Sequence, residues 1–274
     1  MNSKRIIIAV IGVLGVVAAI VAGVRVSSSD PTKNVYPGYP RIPATHAPVG
    51  GPRISAPAPG GNTANGASNT SYSYNWSGYA ANGSNGQYHS VKASWVQPRI
   101  IRTGGSSWQD ASFWVGLDGS NSNTVEQLGT EGYYRDGTIL YDAWYEMYPA
   151  ALVTLSNHVQ PGDHLTASVS RSGRSYTLTI KDSTEGWSRT IHKTGGYHNS
   201  SAEAVAEAPY AGGILPLANF HIAHFTSTAI NGKSAISERA GAIDMLSSSG
   251  TSYLDTVSPI NSAGAWTAFW DSAS

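Results

Sequence analysis

The chain has 274 residues, of which 12% are charged, with glycine (30), tyrosine (15) and tryptophan (8) heavily used and cysteine absent. This mixture favours short strands and turns over a helical bundle, and the lack of thiols excludes disulfide scaffolds, thiolate zinc sites, iron–sulfur clusters and cysteine nucleophiles. The formal charge of zero hides an asymmetry, six Lys/Arg against one acid in residues 1–70 and eleven against sixteen in residues 71–274, and a net-acidic body argues against nucleic acid as partner.

Lys4 and Arg5 precede an uncharged apolar run over residues 6–24, the charge-then-hydrophobe order of an export signal. Residues 1–26 therefore read as a signal peptide or a membrane anchor. The run of 19 residues exceeds the roughly 7–15 of a signal core and approaches the ~20 that span a bilayer. Ala22 and Gly23 offer only a mediocre cleavage site, and Lys4 and Arg5 would stay on the cytoplasmic side of a retained anchor. Both readings place the rest of the chain outside the cytoplasm, secreted or anchored there through residues 6–24. Residues 27–70 are rich in Pro, Gly, Ser, Ala and Asn with little apolar periodicity. Such a stretch buries too little surface to offset its chain entropy, so it reads as a tether or a removable pro-segment.

From Ser71 onward the pattern becomes short alternating runs, at residues 91–96, 165–170 and 175–180 among others. Alternation at period two marks half-buried strands. Turn signals separate them, including Asp136-Gly137, Ser172-Gly173 and Asn231-Gly232. The only helical suggestion is a turn or two near residues 234–240. Residues 71–274 are expected to form one all-β domain, an antiparallel β-sandwich.

Polar groups set among aromatics concentrate at residues 114–118, 127–131, 144–148 and 203–207. As a strand, Tyr141-Asp142-Ala143-Trp144-Tyr145-Glu146-Met147-Tyr148 places Asp142, Trp144, Glu146 and Tyr148 on one face. The other reading is a solvated outer face with cross-strand aromatic pairs. Glu203 and Glu207, four apart in Ala202-Glu203-Ala204-Val205-Ala206-Glu207, would likewise share a face, either as a surface edge or as a general acid/base centre. No Gly-x-Ser-x-Gly elbow and no His-Glu-x-x-His motif occurs. His221 and His224, three apart in an apparent strand, would point to opposite faces and share no metal.

The run Ser112-Phe113-Trp114-Val115-Gly116-Leu117-Asp118-Gly119, then Glu126-Gln127-Leu128-Gly129-Thr130-Glu131, then residues 141–149, then Ala202-Glu203-Ala204-Val205-Ala206-Glu207 resembles the glutamic peptidases, or eqolisins. The motifs stand in that family's order, begin at Asn75-Trp76-Ser77-Gly78-Tyr79 and cover essentially all of residues 71–274. The resemblance implies an acid endopeptidase on a two-sheet antiparallel sandwich like that of legume lectins. It places the catalytic glutamine on Gln127 and the catalytic glutamate on Glu207. Trp114, Asp118, Glu131, Trp144, Glu146 and Tyr148 would line the cleft and bind substrate, with Glu203 and Asp142 behind them. The chain departs from the family pattern in three places. Ala204 replaces an aromatic, which bears on packing near Glu207. Glu131 replaces the aspartate of fungal members and the fungal disulfides are missing, two differences that leave the dyad intact and resemble a bacterial-type member.

These residues make coherent chemistry. A carboxylate with a reference pKa near 4.3 remains partly ionised in acid where histidine is fully protonated, so Glu207 can act as base. The neutral amide of Gln127 can stabilise an oxyanion without titrating. No metal or organic cofactor is needed, the expected partners are polypeptide substrates, and a monomer is expected. Two other readings stay open at this level, a carbohydrate-binding lectin-like sandwich and a glycoside hydrolase using paired carboxylates.

Overall fold

The computed structural model describes residues 51–59 and 70–274. The export run at 6–24, the reading of residues 1–26 and most of the 27–70 segment lie outside the described residues. Seventeen strands occur among those described. In chain order they begin with β1 (Ser55–Ala56), β2 (Ser71–Ser73), β3 (Trp76–Asn82), β4 (Ser90–Val96), β5 (Trp108–Leu117) and β6 (Val125–Arg135). Next come β7 (Thr138–Tyr148), β8 (Val153–Thr154), β9 (His164–Ser172), β10 (Ser175–Asp182), β11 (Trp187–Thr194) and β12 (Ser201–Glu207). The last are β13 (Ile222–Ile230), β14 (Lys233–Ser234), β15 (Gly241–Leu246), β16 (Tyr253–Val257) and β17 (Trp266–Trp270).

Strand pairing resolves these into two sheets. One runs β8-β7-β6-β5-β12-β3-β15, and β2 joins β15 as the parallel neighbour. The other runs β11-β10-β9-β4-β13-β17-β16. They meet where β15 pairs with β16, so the sandwich is closed along one edge. The alternation at residues 91–96, 165–170 and 175–180 lies within β4, β9 and β10 as expected. Residues 234–240 make successive turns, with Ser237 N–H to Ser234 O at 2.8 Å and Glu238 N–H to Ala235 O at 3.2 Å, and no α-helix.

Period-two alternation divides each strand between two environments. From the first sheet, Phe113, Val115, Leu117, Leu128, Ala143, Ala202, Ala204 and Ala206 face the core between the sheets. From the second, Val91, Ala93, Trp95, Leu165, Val169, Leu178 and Phe225 meet them. Each large apolar side chain so buried contributes about 1.5–3 kcal/mol. Ala204 lies in this core, on the face of β12 opposite Glu207, so the small residue there leaves the Glu207 side untouched. Gly78 (φ +140°) permits the close approach of β3 to β12, because a Cβ there would collide with Ala204 O.

The folded body begins upstream of Ser71. Ser55 and Ala56 pair with Ser73 and Tyr72, which adds β1 to β2 despite the Pro-rich composition of that stretch. Composition missed this because the two residues gain their order from a neighbouring strand's backbone.

Candidate active site

The outer face of the first sheet carries the alternate residues of the same strands. Strand registers set them in three transverse rows: Ala80, Glu203, Gly116, Gln127, Glu146; then Gly78, Val205, Trp114, Gly129, Trp144; then Trp76, Glu207, Ser112, Glu131, Asp142. Eight of the ten residues singled out from sequence stand in these rows. Tyr148 continues the face beyond Glu146, opposite Val125 on β6, and packs on the apolar cluster of Trp76, Trp114, Trp144, Val205 and Ile243.

Gln127 and Glu207 lie two strands and four residues apart, with Trp114 on the strand between them. On a flat sheet that offset is about 16 Å between Cα atoms, whereas Glu203 stands level with Gln127 in the same row, about 10 Å away across Gly116. Each end is fixed from the side. Gln127 donates its amide nitrogen to Glu146 Oε2 at 2.8 Å, directly across the β6–β7 register. Trp114 donates its indole N–H to Glu207 Oε2 at 2.8 Å. Trp76 packs edge-on against Trp114 with ring centroids 4.9 Å apart. Gly129 is required here, because a Cβ would stand 2.5 Å from Trp114 Cβ.

Glu131, Glu146, Glu203 and Glu207 are buried on this face, and Asp142 is half-buried. Burial pushes Glu207, Glu203 and Glu131 well above the usual carboxylate range. For Glu207 the Coulombic field of Glu146 adds to the rise, while the indole N–H groups of Trp76 and Trp114 and the backbone N–H of Gly51 oppose it. Burial lifts Glu146 to about 8, against the bond from Gln127. Asp142 rises through burial as well, opposed by the Tyr133 hydroxyl that donates to its Oδ2 at 2.9 Å. The expectation that Glu207 keeps a near-reference pKa is therefore corrected for this covered state. Buried in this way, the carboxyl favours its protonated form.

Asp118 directs its carboxylate to backbone N–H groups. It takes a left-handed backbone (φ 69°) at the end of β5 and accepts from Asn199 N at 2.6 Å and from Ser200 N at 2.8 Å, which fixes the turn into β12. His224 lies on β13 in the second sheet, where its Nδ1 contacts Thr267 Oγ1 at 2.8 Å, and His221 precedes that strand at φ 59°. Neither belongs to the face just described. Trp114 and Trp144 are fully buried.

Sequence reasoning missed three contributors. Asp110, buried and driven upward by burial and by Asp142, lies beyond Glu131 on β5, and Tyr133 pairs opposite it. Asn75 sits beside Glu207, with Nδ2 3.4 Å from its Oε1. Residues 51–54 run alongside, and Pro52 O is 3.3 Å from the same Nδ2. Asn75 was visible in its motif, but nothing in the Pro-rich stretch signalled contact with Glu207.

Residues 74–265 match the Peptidase A4 family. Aspergillopepsin-2 of Aspergillus niger is 31% identical over 163 residues, covering 52% of this chain and 57% of that protein. Scytalidopepsin B of Scytalidium lignicola is 36% identical over 115 residues, 41% of each chain. The chain thus spans about half the length of the curated relatives it matches. Among solved structures, a scytalido-glutamic peptidase with a transition-state analogue inhibitor superposes with a TM-score of 0.62 at 24% identity, over 72% of this chain and 98% of that one. The shared architecture is the β-sandwich.

Proposed function

The chain belongs to the peptidase A4 family, the glutamic peptidases, and on that footing we propose that it is an acid endopeptidase with Glu207 as general base and Gln127 as oxyanion donor. The observation that carries this reading is the pairing of each group with its own holder, Trp114 on Glu207 and Glu146 on Gln127, across one face of the sheet.

In the proposed reaction the Glu207 carboxylate takes a proton from water as the water oxygen bonds to the scissile carbonyl carbon. The carbonyl oxygen becomes an oxyanion and accepts a hydrogen bond from the Gln127 amide, a kind of contact worth on the order of 10²–10³ in rate. Glu207, now protonated, gives its proton to the amide nitrogen as the C–N bond breaks, leaving a carboxylic acid and an amine. Glu146, with a pKa of about 8, is neutral in acid and holds Gln127 without placing a second negative charge beside the oxyanion. Trp114, Trp144 and Tyr148 supply apolar walls, and Glu131, Asp142 and Glu203 stand in the same rows as protonated, uncharged neighbours at low pH.

The proposal extends to the chain's organisation. Residues 1–26 act as export signal or anchor, residues 27–70 as tether or pro-segment, and residues 71–274 as the peptidase body working outside the cytoplasm on polypeptides. The contact of residues 51–54 with the Glu207 neighbourhood favours the pro-segment role.

The decisive test is incubation with acid-denatured haemoglobin or casein across about pH 2–7, with and without EDTA. New peptides at low pH, unaffected by EDTA and absent with Glu207→Gln, are expected. Cleavage with a maximum at pH 7 or above, or abolished by EDTA and restored by zinc, overturns the reading.

A further inference from the structure

Asn75 opens the Asn75-Trp76-Ser77-Gly78-Tyr79 motif, yet the mechanism above gives it no task. Its side chain is buried and engaged on every side. Oδ1 accepts from Ile54 N at 2.8 Å and from Ser73 Oγ at 3.0 Å, while Nδ2 faces Pro52 O at 3.3 Å and Glu207 Oε1 at 3.4 Å.

In an extended chain, the carbonyl of one residue and the N–H two residues later point the same way, so a single carboxamide can pair with both. Asn75 does this with Pro52 O and Ile54 N, gripping one edge of the backbone around Arg53. The other edge is held too, since Arg53 N–H donates to Gly119 O at 3.0 Å. Two residues before Arg53, the backbone of Gly51 opposes the upward shift of the Glu207 carboxyl. The Arg53 guanidinium reaches Tyr72 O at 2.8 Å, and the side chain forms a shared wall of two hollows of about 670 and 270 Å³, the smaller reaching Ala80 and Ile243 of the apolar site cluster. An extended stretch of polypeptide, held through its backbone, thus lies against the proposed base.

We propose that Asn75 is the main-chain clamp of this cleft: it positions extended polypeptide beside Glu207, with residues 51–54 in that place here and the substrate taking it during hydrolysis. The second half rests on the peptidase reading. Recognition is of groups that every residue except proline carries in full, which suits a broad class of polypeptide substrates and disfavours proline where Ile54 stands. The same grip makes residues 51–54 a competitor for substrate.

Two measurements on the full chain test this. In the first, trypsin at neutral pH acts on the wild type and on Asn75→Ala, and the rate of cleavage after Arg53 is followed by mass spectrometry. The clamp predicts a rise of roughly tenfold or more in the variant, the scale of losing a hydrogen bond to Asn75, with other Lys/Arg sites unchanged. Equal rates overturn the clamp, whatever the chain's activity. In the second, peptide hydrolysis in acid is measured for Asn75→Ala and for Ile54→Pro. Asn75→Ala should raise KM about tenfold through the lost substrate grip. Ile54→Pro removes the N–H that Oδ1 accepts while leaving Asn75 intact, so it should lower KM as the internal competitor loosens. A merely structural Asn75 would move both variants in the same direction, and that result, or an unchanged KM in Asn75→Ala, overturns the substrate half. A wild type that cleaves no peptide at acid pH refutes the peptidase reading and the substrate half with it, and the trypsin rates then decide the clamp on residues 51–54 alone.

Discussion

Gln127 and Glu146 are direct partners across β6 and β7, and the 2.8 Å bond between their side chains fixes the amide that the proposed reaction needs. Removing the amide with Gln127→Ala should lower kcat by at least roughly 10²-fold. Glu146→Ala should cost less, about tenfold in kcat, because Gln127 keeps its donor and loses only its orientation. Steady-state kinetics on one peptide at the acid optimum separates the two, and a Gln127→Ala enzyme of normal rate would move the oxyanion role elsewhere.

Glu207→Gln preserves shape and cannot take a proton, so turnover should fall to a residual level while the fold is kept. Trp114→Phe removes the indole N–H that donates to Oε2 at 2.8 Å. Because that bond favours the charged carboxylate, its loss should raise the acidic limb of the kcat/KM profile by about one pH unit. An acidic limb unmoved in Trp114→Phe would mean that the titrating base is not Glu207.

Stability should decline from acid towards neutrality. Glu146 and Glu126 move from 4.5 to about 8 and about 9, chiefly through burial, so the folded state holds protons that the unfolded chain has already released. With the folded pKa raised, this contribution is fully present below about pH 4.5 and is lost as pH rises through the folded values, at up to about 1.4 kcal/mol per pH unit and group. Thermal melts should be highest near about pH 3–4 and fall by at least roughly 5 °C by pH 8. Glu126→Gln, away from the site face, should flatten part of that slope, and an unchanged slope would locate the titration elsewhere.

Asp118→Ala should destabilise the fold by about 1–3 kcal/mol, because Asn199 N and Ser200 N lose their acceptor in a buried turn. KM for peptide should stay within about threefold of wild type, since the carboxylate is committed to backbone. A large rise in KM with an unchanged melt would restore Asp118 to the substrate-binding role.

Period-two alternation made one class of relationship readable without coordinates. It put Glu203, Val205 and Glu207 on one face of β12, and Asp142, Trp144, Glu146 and Tyr148 on one face of β7, because adjacent side chains of a strand must point oppositely. Motif order identified the family, since those faces recur in sequence as short, fixed spacings. Which strand stands beside which was decided only in three dimensions. Glu207 is held by Trp114, 93 positions away, and meets Asn75, 132 positions away, through registers that no local pattern encodes. The burial that lifts the carboxyls, the commitment of Asp118 to backbone amides, and the placement of residues 51–54 against Glu207 likewise depend on what packs above a residue. That neighbourhood is set by long-range pairing and the exclusion of water, both properties of the assembled sheet and not of any one segment.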